Sequence, residues 1–342
     1  MPASDRTRRW RWNAITTIPV ALVLLLVACQ PLGEGDGDGA TDGSGPPASG
    51  ADGGTGRLSI ATGGTGGVYF PLGGGLADLI SENVEGYTAT AEETNASVDN
   101  MNLIGSGESD IAFVLGDTAS DAVNGAGEFE GGAVEACTLG ILYTNFTQLV
   151  ASADSGIATV ADLAGKRVSL GEAGSGTEVI GLRILEAAGI DPDADVERAQ
   201  LGVAETLDAL RDGTLDAGFW SGGLPTGALV DYASTGDMVL VPTAEFAADL
   251  QSSYGEYYLE SEIPADTYEG QADAVAVVGV PNVLVVNTSM DEGLQEQLTA
   301  LLFEHKDDLV AVHPAAEELD QETAGEIAFM DVCPGAQTFY GS

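Results

Sequence analysis

Two glycine-rich turns hold the residues best suited to chemistry: Thr62-Gly-Gly-Thr-Gly-Gly-Val-Tyr69, "TGGTGGVY", and Gly171-Glu-Ala-Gly-Ser-Gly-Thr177, "GEAGSGT". Each lies between a short apolar run and a segment with apolar residues at helical spacing, so each reads as a strand-to-helix junction. At such a junction glycine lets a ligand approach the main chain, successive N–H groups point into one concavity, and the following helix adds partial positive charge. An anion site is therefore expected in each turn. A dinucleotide fingerprint fails on spacing, because Gly64-x-Gly66 requires glycine at position 69 and finds Tyr69. Neither turn is followed by the Lys-Ser/Thr of a P-loop. The plainer alternative, glycines that only make tight turns, is weakened by finding two in equivalent places.

Catalysis has less to stand on. His305 and His313 are the only histidines, on or just after a late helix, and read as surface residues. Neither turn holds a Gly-x-Ser-x-Gly elbow, and no His/Cys spacing forms a metal site. With 54 Asp and Glu a glycosidase-like carboxylate pair could arise by chance, but no motif nominates one. The expectation is a binding protein, not an enzyme, with no cofactor and no metal.

The elements that must position the turns alternate. "RLSIAT" reads as a strand, "VYFPLGGGLADLISEN" as a helix, "YTATAEET" as a strand, "ASVDNMNLIGSG" as a helix starting near Ser97, and "SDIAFVL" as a buried strand. The order recurs as strand "KRVSLG", helix "EVIGLRILEAAG" ended by Gly189, then "AETLDALRDG" and "TLDAGFW". Gly107-Glu-Ser-Asp-Ile-Ala-Phe113 matches Gly213-Thr-Leu-Asp-Ala-Gly-Phe219, both Gly-x-x-Asp-x-small-Phe after a helix. Strands alternating with helices imply a largely parallel, covered sheet, here in two equivalent α/β lobes. Extended apolar runs at residues 139–156 and 280–289 can cross between the lobes, and "EGLQEQLTALLFEHKDDLVAVHP" reads as one helix stopped by Pro314. Two crossings make a hinged pair around a cleft.

At the start, "RTRRWRW" and the apolar run ending at Cys29 form a secretory signal. Leu26-Val-Ala-Cys29 resembles a bacterial lipobox, which would make Cys29 the lipidated first residue, anchoring the protein outside the cell; the alternative is an ordinary cleavage site with a chance cysteine. Residues 30–56, almost all Gly, Asp, Ser, Thr, Ala and Pro, read as a disordered tether. Its "DGDGATDG" lacks the acidic residues that a calcium loop needs. The formal net charge is −43, and losing Arg6, Arg8, Arg9, Arg11 and Asp5 with the leader takes it near −46. Nucleic acid is excluded as a partner on that charge, and a saline milieu is suggested. Cys137 and Cys333 remain as an even pair in an oxidising compartment, either a disulfide or two buried thiols.

The stretches "TGGTGGVYFPLGGGLADLI", "GESDIAFVLGD", "ADSGIATVADLAGKRVSLGEAGSGT", "LRDGTLDAGFWSGGLPTGAL" and "LFEHKDDLVAVHP" together resemble the TAXI family of extracytoplasmic solute receptors for TRAP transporters, over nearly all of residues 57–340. The resemblance implies a type II periplasmic-binding-protein fold, no catalysis, and a monomer. It also implies delivery of a small organic acid or amino acid, such as glutamate or 2-oxoglutarate, to a TRAP membrane permease. Lobe I would be residues 57–143 plus 290–342, and lobe II residues 144–289. Carried over by position, the ligand contacts would be Thr65, Gly66, Val68, Tyr69, Ser97, Val98, Gly116 and Asp117 in lobe I. In lobe II they would be Gly174, Ser175, Gly176, Thr177, Trp220, Gly223 and Pro225.

Two departures stand out. Ala96 in Thr94-Asn-Ala-Ser97 replaces a family glycine and puts the local turn in doubt. Cys333 replaces a frequent histidine, which favours a disulfide with Cys137. Arg183, the one basic residue of the helix that follows the second turn, faces ligand or solvent nearly two helical turns beyond Thr177. A carboxylate would then rest mainly on main-chain amides and the hydroxyls of Tyr69, Ser97, Ser175 and Thr177. The alternatives are an ABC-type substrate-binding lipoprotein and, in a different class, a secreted hydrolase.

Overall fold

The computed structural model describes residues 56–235 and 238–341. The leader, Cys29, and all of the tether except Gly56 lie outside the described residues; Gly56 opens the first strand. In the first half β1 (Gly56–Ala61), α1 (Tyr69–Asn83), β2 (Tyr87–Glu92), α2 (Ser97–Ser106), β3 (Ile111–Leu115) and α3 (Gly116–Asn124) alternate as their apolar periods dictate. The long β4 (Ala136–Ser152) leads into β5 (Arg167–Ser169), α4 (Gly176–Ala187), β6 (Glu197–Ala199), α5 (Val203–Arg211), β7 (Ala217–Gly222) and α6 (Gly227–Ala233). There follow β8 (Met238–Val241), α7 (Ala247–Ser253) and β9 (Leu259–Ile263), then the return strand β10 (Val275–Asn287) and α8 (Glu292–Glu304), α9 (Lys306–Val312) and α10 (Pro334–Tyr340).

A single ten-stranded sheet runs through both halves in the order β2-β1-β3-β10-β4-β7-β5-β6, with β8 beside β4 and β9 beside β10. β1 is parallel to β2 and β3, β5 is parallel to β6 and β7, and β10 and β4 close each set antiparallel. The order β2-β1-β3-β10 is thus repeated as β6-β5-β7-β4, and the protein is a two-lobed α/β fold. The Gly-x-x-Asp repeat has one physical job in both places. Gly107 and Gly213 end their helices at φ +73° and +67°, and the aspartate then accepts a main-chain N–H of the neighbouring first strand: Asp110 from Ser59 at 2.8 Å, Asp216 from Arg167 at 2.9 Å.

β4 and β10 are long because they serve both halves. The start of β4 lies against the end of β10, and its remainder against β7 and β8. Where they cross, Pro281 lacks a ladder N–H and the register shifts at Asn282/Val283 and Leu284/Val285, so the ladder that ties the halves is interrupted there. Apolar side chains cover both faces of each half, around Ile60 and Leu76, Met101 and Val114, Ile180 and Phe219, and Leu207 and Leu229. Cys137 of β4 is bonded to Cys333 before α10, joining the chain's end to the first half. The single late helix expected from the sequence is two, because His305 leaves helical geometry, and its carbonyl accepts Asp308 and Leu309 N–H to start α9.

Candidate ligand-binding site

The C-terminal ends of β1, β3, β5 and β7 meet where the halves face each other, as the strand-end rule for α/β sheets requires. They enclose a cavity lined by Gly63, Gly64, Gly67, Val68, Tyr69, Ala96, Ser97 and Leu115 from the first half and Glu172, Ser175, Gly176, Thr177, Trp220, Ser221 and Gly222 from the second. Its volume is about 30 Å³, room for roughly two waters. Glycine is a steric necessity at two points. A Cβ on Gly176 would stand 2.5 Å from Leu115 Cδ1 and 2.8 Å from Ser97 Oγ, and one on Gly67 2.8 Å from Trp220 Cη2.

The hydroxyls around this space are already held as acceptors. Ser175 Oγ caps α4 by accepting Glu178 N–H at 3.1 Å, Thr177 Oγ1 accepts Ser221 N–H at 3.2 Å, and Ser97 Oγ accepts Leu115 N–H at 3.1 Å. Asn282 Nδ2 donates to the Tyr69 hydroxyl at 2.6 Å. Ser175, Thr177 and Tyr69 are thereby fixed through oxygen while each keeps a hydrogen to donate, which is the complement of a carboxylate, and the Ser97 hydroxyl is directed to Tyr69. Burial pushes the Tyr69 phenol well above its ordinary value, so it stays a donor at neutral pH. The Tyr69 N–H at the start of α1 and the Gly176 and Thr177 N–H groups at the start of α4 have no intrahelical carbonyl and add to the donors. Below them Asn145, Asn282 Oδ1 and Ser221 Oγ are buried polar groups without a partner. Among the described residues no Lys, Arg or His lines the cavity, and Glu172 is the only carboxylate in its lining. Glu172 is raised above the usual carboxylate range by burial and by the neighbouring Glu205 and Glu93.

Of the expected contacts, the structure brings Val68, Tyr69, Ser97, Ser175, Gly176, Thr177 and Trp220 to the cavity wall. The others are not in its lining, and most of them hold the halves together. Gly66 O accepts Ala228 N–H, and Gly174 O accepts Val98 and Asp99 N–H. A Cβ on Gly223 would meet Ala315 and Tyr143, and Pro225 O takes the His313 Nε2 contact at 3.2 Å. Gly116 packs on Phe329 and Pro281, and Thr65 is exposed. His313 is accordingly not a surface residue: it is partly buried, its Nδ1 accepts Ala315 N–H, and burial lowers its pKa. Ala96 keeps its turn at φ +72°, with Thr94 Oγ1 accepting its N–H.

Asp117 and Arg183 also leave the expected site, because they belong to a cluster between α3 and α4. Tyr258 OH donates to Asp117 Oδ2 at 2.8 Å and accepts from Arg183 Nη1 at 2.8 Å. Arg183 Nη2 pairs with Asp121 at 2.5 Å, Nη1 stands 3.7 Å from Asp117, and the guanidinium lies 4.1 Å from the Tyr254 ring centre. Thr118 N–H fills Asp117 Oδ1 at 2.7 Å. Arg183 faces neither ligand nor solvent; its charge is consumed by two aspartates. Sequence reasoning missed Glu172, Ser221 and Leu115. Glu172 sat inside a turn read for its glycines, and the other two are strand-end residues that the topology alone would nominate.

The model of one family matches residues 60–341 of this geometry-bearing part of the chain, and its description is "NMT1-like family". The chain belongs to the NMT1-like family. This NMT1-like chain is also similar in structure to several solved proteins. XAC2383 from Xanthomonas citri bound to ATP is 14% identical, over 83% of this chain and 96% of that one, with a TM-score of 0.49. A putative L-cystine ABC transporter protein from Listeria monocytogenes is 17% identical, over 76% and 94%, with a TM-score of 0.47. The periplasmic aliphatic sulphonate binding protein SsuA from Escherichia coli is 16% identical, over 77% and 79%, with a TM-score of 0.43.

Proposed function

We propose that this NMT1-like protein is an extracytoplasmic solute receptor that closes two lobes, residues 57–143 plus 290–342 and residues 144–289, over one small carboxylate and delivers it to a membrane permease. The observation that carries this reading is the set of hydroxyls at Tyr69, Ser175 and Thr177, each fixed through its oxygen and keeping a hydrogen to donate into one enclosed space. Nothing in that set is a nucleophile beside a base, so retention rather than turnover follows from it. A five-carbon acid exceeds about 30 Å³, so its entry requires the halves to part where Pro281 interrupts the β4–β10 ladder. Only the closed arrangement touches a solute from both sides, so binding selects it.

The finer reading is a TAXI-type receptor of a TRAP transporter, taking an acid such as glutamate or 2-oxoglutarate, held at the outer face of the membrane by a lipid on Cys29. It rests on the sequence stretches quoted above and on the lipobox. Mass spectrometry of small molecules released when the purified protein is denatured, followed by calorimetry with the compound found, tests it. The expected result is a carboxylate in about one-to-one ratio, retained unchanged. Conversion of that compound by the protein would replace the receptor reading with the hydrolase one.

A further inference from the structure

We infer that the solute carries a protonated amine as well as its carboxylate, with no net charge overall, and that Glu172 receives the amine. This rests on the receptor reading and, within it, replaces glutamate or 2-oxoglutarate by an amino acid with an uncharged side chain.

Glu172 belongs to the turn of the second half, yet its Oε1 reaches the opening turn of the first, 3.3 Å from where a Cβ on Gly64 would stand. The absence of a side chain at Gly64 and Gly202 makes room for it. It is half-buried, Glu205 and Glu93 stand near it as like charges, and among the described residues its carboxylate has no ion pair or hydrogen-bond donor. A half-buried carboxylate so placed is unfavourable unless something positive arrives. The basic side chains near the turns are already paired, Arg183 with Asp117 and Asp121 and Arg198 with Glu178 and Asp193.

Two independent features of the same wall suit an ammonium group. Ser221 is 8% exposed as a residue, and its buried Oγ has no partner, so it offers an unused acceptor. The Trp220 indole also lines the cavity, and its Nε1–H is already given to Thr226 Oγ1 at 3.0 Å, so the ring offers a cation its π-electrons and no competing donor. The donors of Ser175, Thr177 and Tyr69 meet the carboxylate. The space therefore has donors for an anion and acceptors for a cation, and a second carboxylate on the solute would face Glu172 with nothing to neutralise it.

Calorimetry on the purified chain tests this with pairs that differ only in the amine: L-glutamine and 2-oxoglutaramate, L-leucine and 4-methyl-2-oxopentanoate, L-glutamate and 2-oxoglutarate. In the pair that binds, the amino member is expected to be tighter by on the order of tenfold to a hundredfold, the scale of a hydrogen bond to a charged group. Glu172→Gln should remove most of that preference by weakening the amino member, and thermal unfolding of the variant verifies that it is folded. Equal or tighter binding of the oxo member by the wild type overturns the inference and leaves the receptor reading standing. An amino member bound equally by wild type and Glu172→Gln overturns the role of Glu172. Binding of no member by either protein overturns both the receptor reading and this inference.

Discussion

The cavity and the Arg183 cluster lie between the same two halves and are buried to a similar degree, but their polar groups are in opposite conditions. Around the cavity Ser175, Thr177 and Tyr69 each accept a hydrogen bond and keep a donor, and Ser221 Oγ has no partner at all. In the cluster nearly every capacity is used: Asp117 accepts from Thr118 and Tyr258, and Arg183 pairs with Asp121, Tyr258 and the Tyr254 face. Unused capacity at the first place is what the proposed solute would take up. Used capacity at the second marks a clamp between α3 and α4. Residue type alone points the other way, since an Arg-Asp pair looks more like a site than a ring of hydroxyls.

The sharpest break is Arg183→Met, which leaves Asp117 as a wholly buried carboxylate without its counter-charge. Removing one partner of such a pair costs about 3 to 5 kcal/mol, and the denaturant midpoint should fall accordingly. A midpoint within experimental error of wild type would show that the cluster does not clamp. On the cavity side, Gly176→Ala places a methyl against Leu115 and Ser97 across the lobes. Closure should be blocked and calorimetric affinity for the released solute should drop by about 2 kcal/mol or more, while melting changes little, since overpacking of 1 to 3 kcal/mol is paid mainly in the closed state.

Ser175→Ala joins the two sides of the comparison. It removes a donor to the solute, expected to weaken binding by about 1 to 2 kcal/mol, and also the α4 cap, expected to lower stability by about 1 kcal/mol. Unchanged affinity with lowered stability would make Ser175 a cap only. The smallest effect concerns Ala96, held at φ +72° and ψ −142°. Ala96→Gly relieves strain of about 1 to 3 kcal/mol against about 0.4 to 1 kcal/mol of added chain entropy. A net gain on the order of 1 kcal/mol in unfolding free energy is expected, and a loss would mean the turn is not strained.

Much of the fold was legible because it is written in local periodicity. The alternating strands, the helix beginning at Ser97 and the repeated Gly-x-x-Asp correspond to observed elements, and the extended runs at residues 139–156 and 280–289 do so up to Ser152 and Asn287, where the strands end. The break at His305 was not legible, because the apolar spacing continues through it and only the carbonyl geometry at one residue ends the helix. The site was legible in part. Turn residues next to strand ends, such as Tyr69, Ser97 and Ser175, follow from the α/β rule, whereas Gly66, Val98, Gly223 and Pro225 turned out to hold the halves together.

The sequence by itself determined that there would be two like halves, a glycine turn in each, and an acidic chain with almost no basic residues, because these depend on order and composition. Only the tertiary structure decided that Arg183 would be neutralised by α3 and that Glu172 would reach the opposite turn. Both facts depend on which side chains two separate halves bring within a few ångströms of each other, a distance that no spacing along the chain encodes.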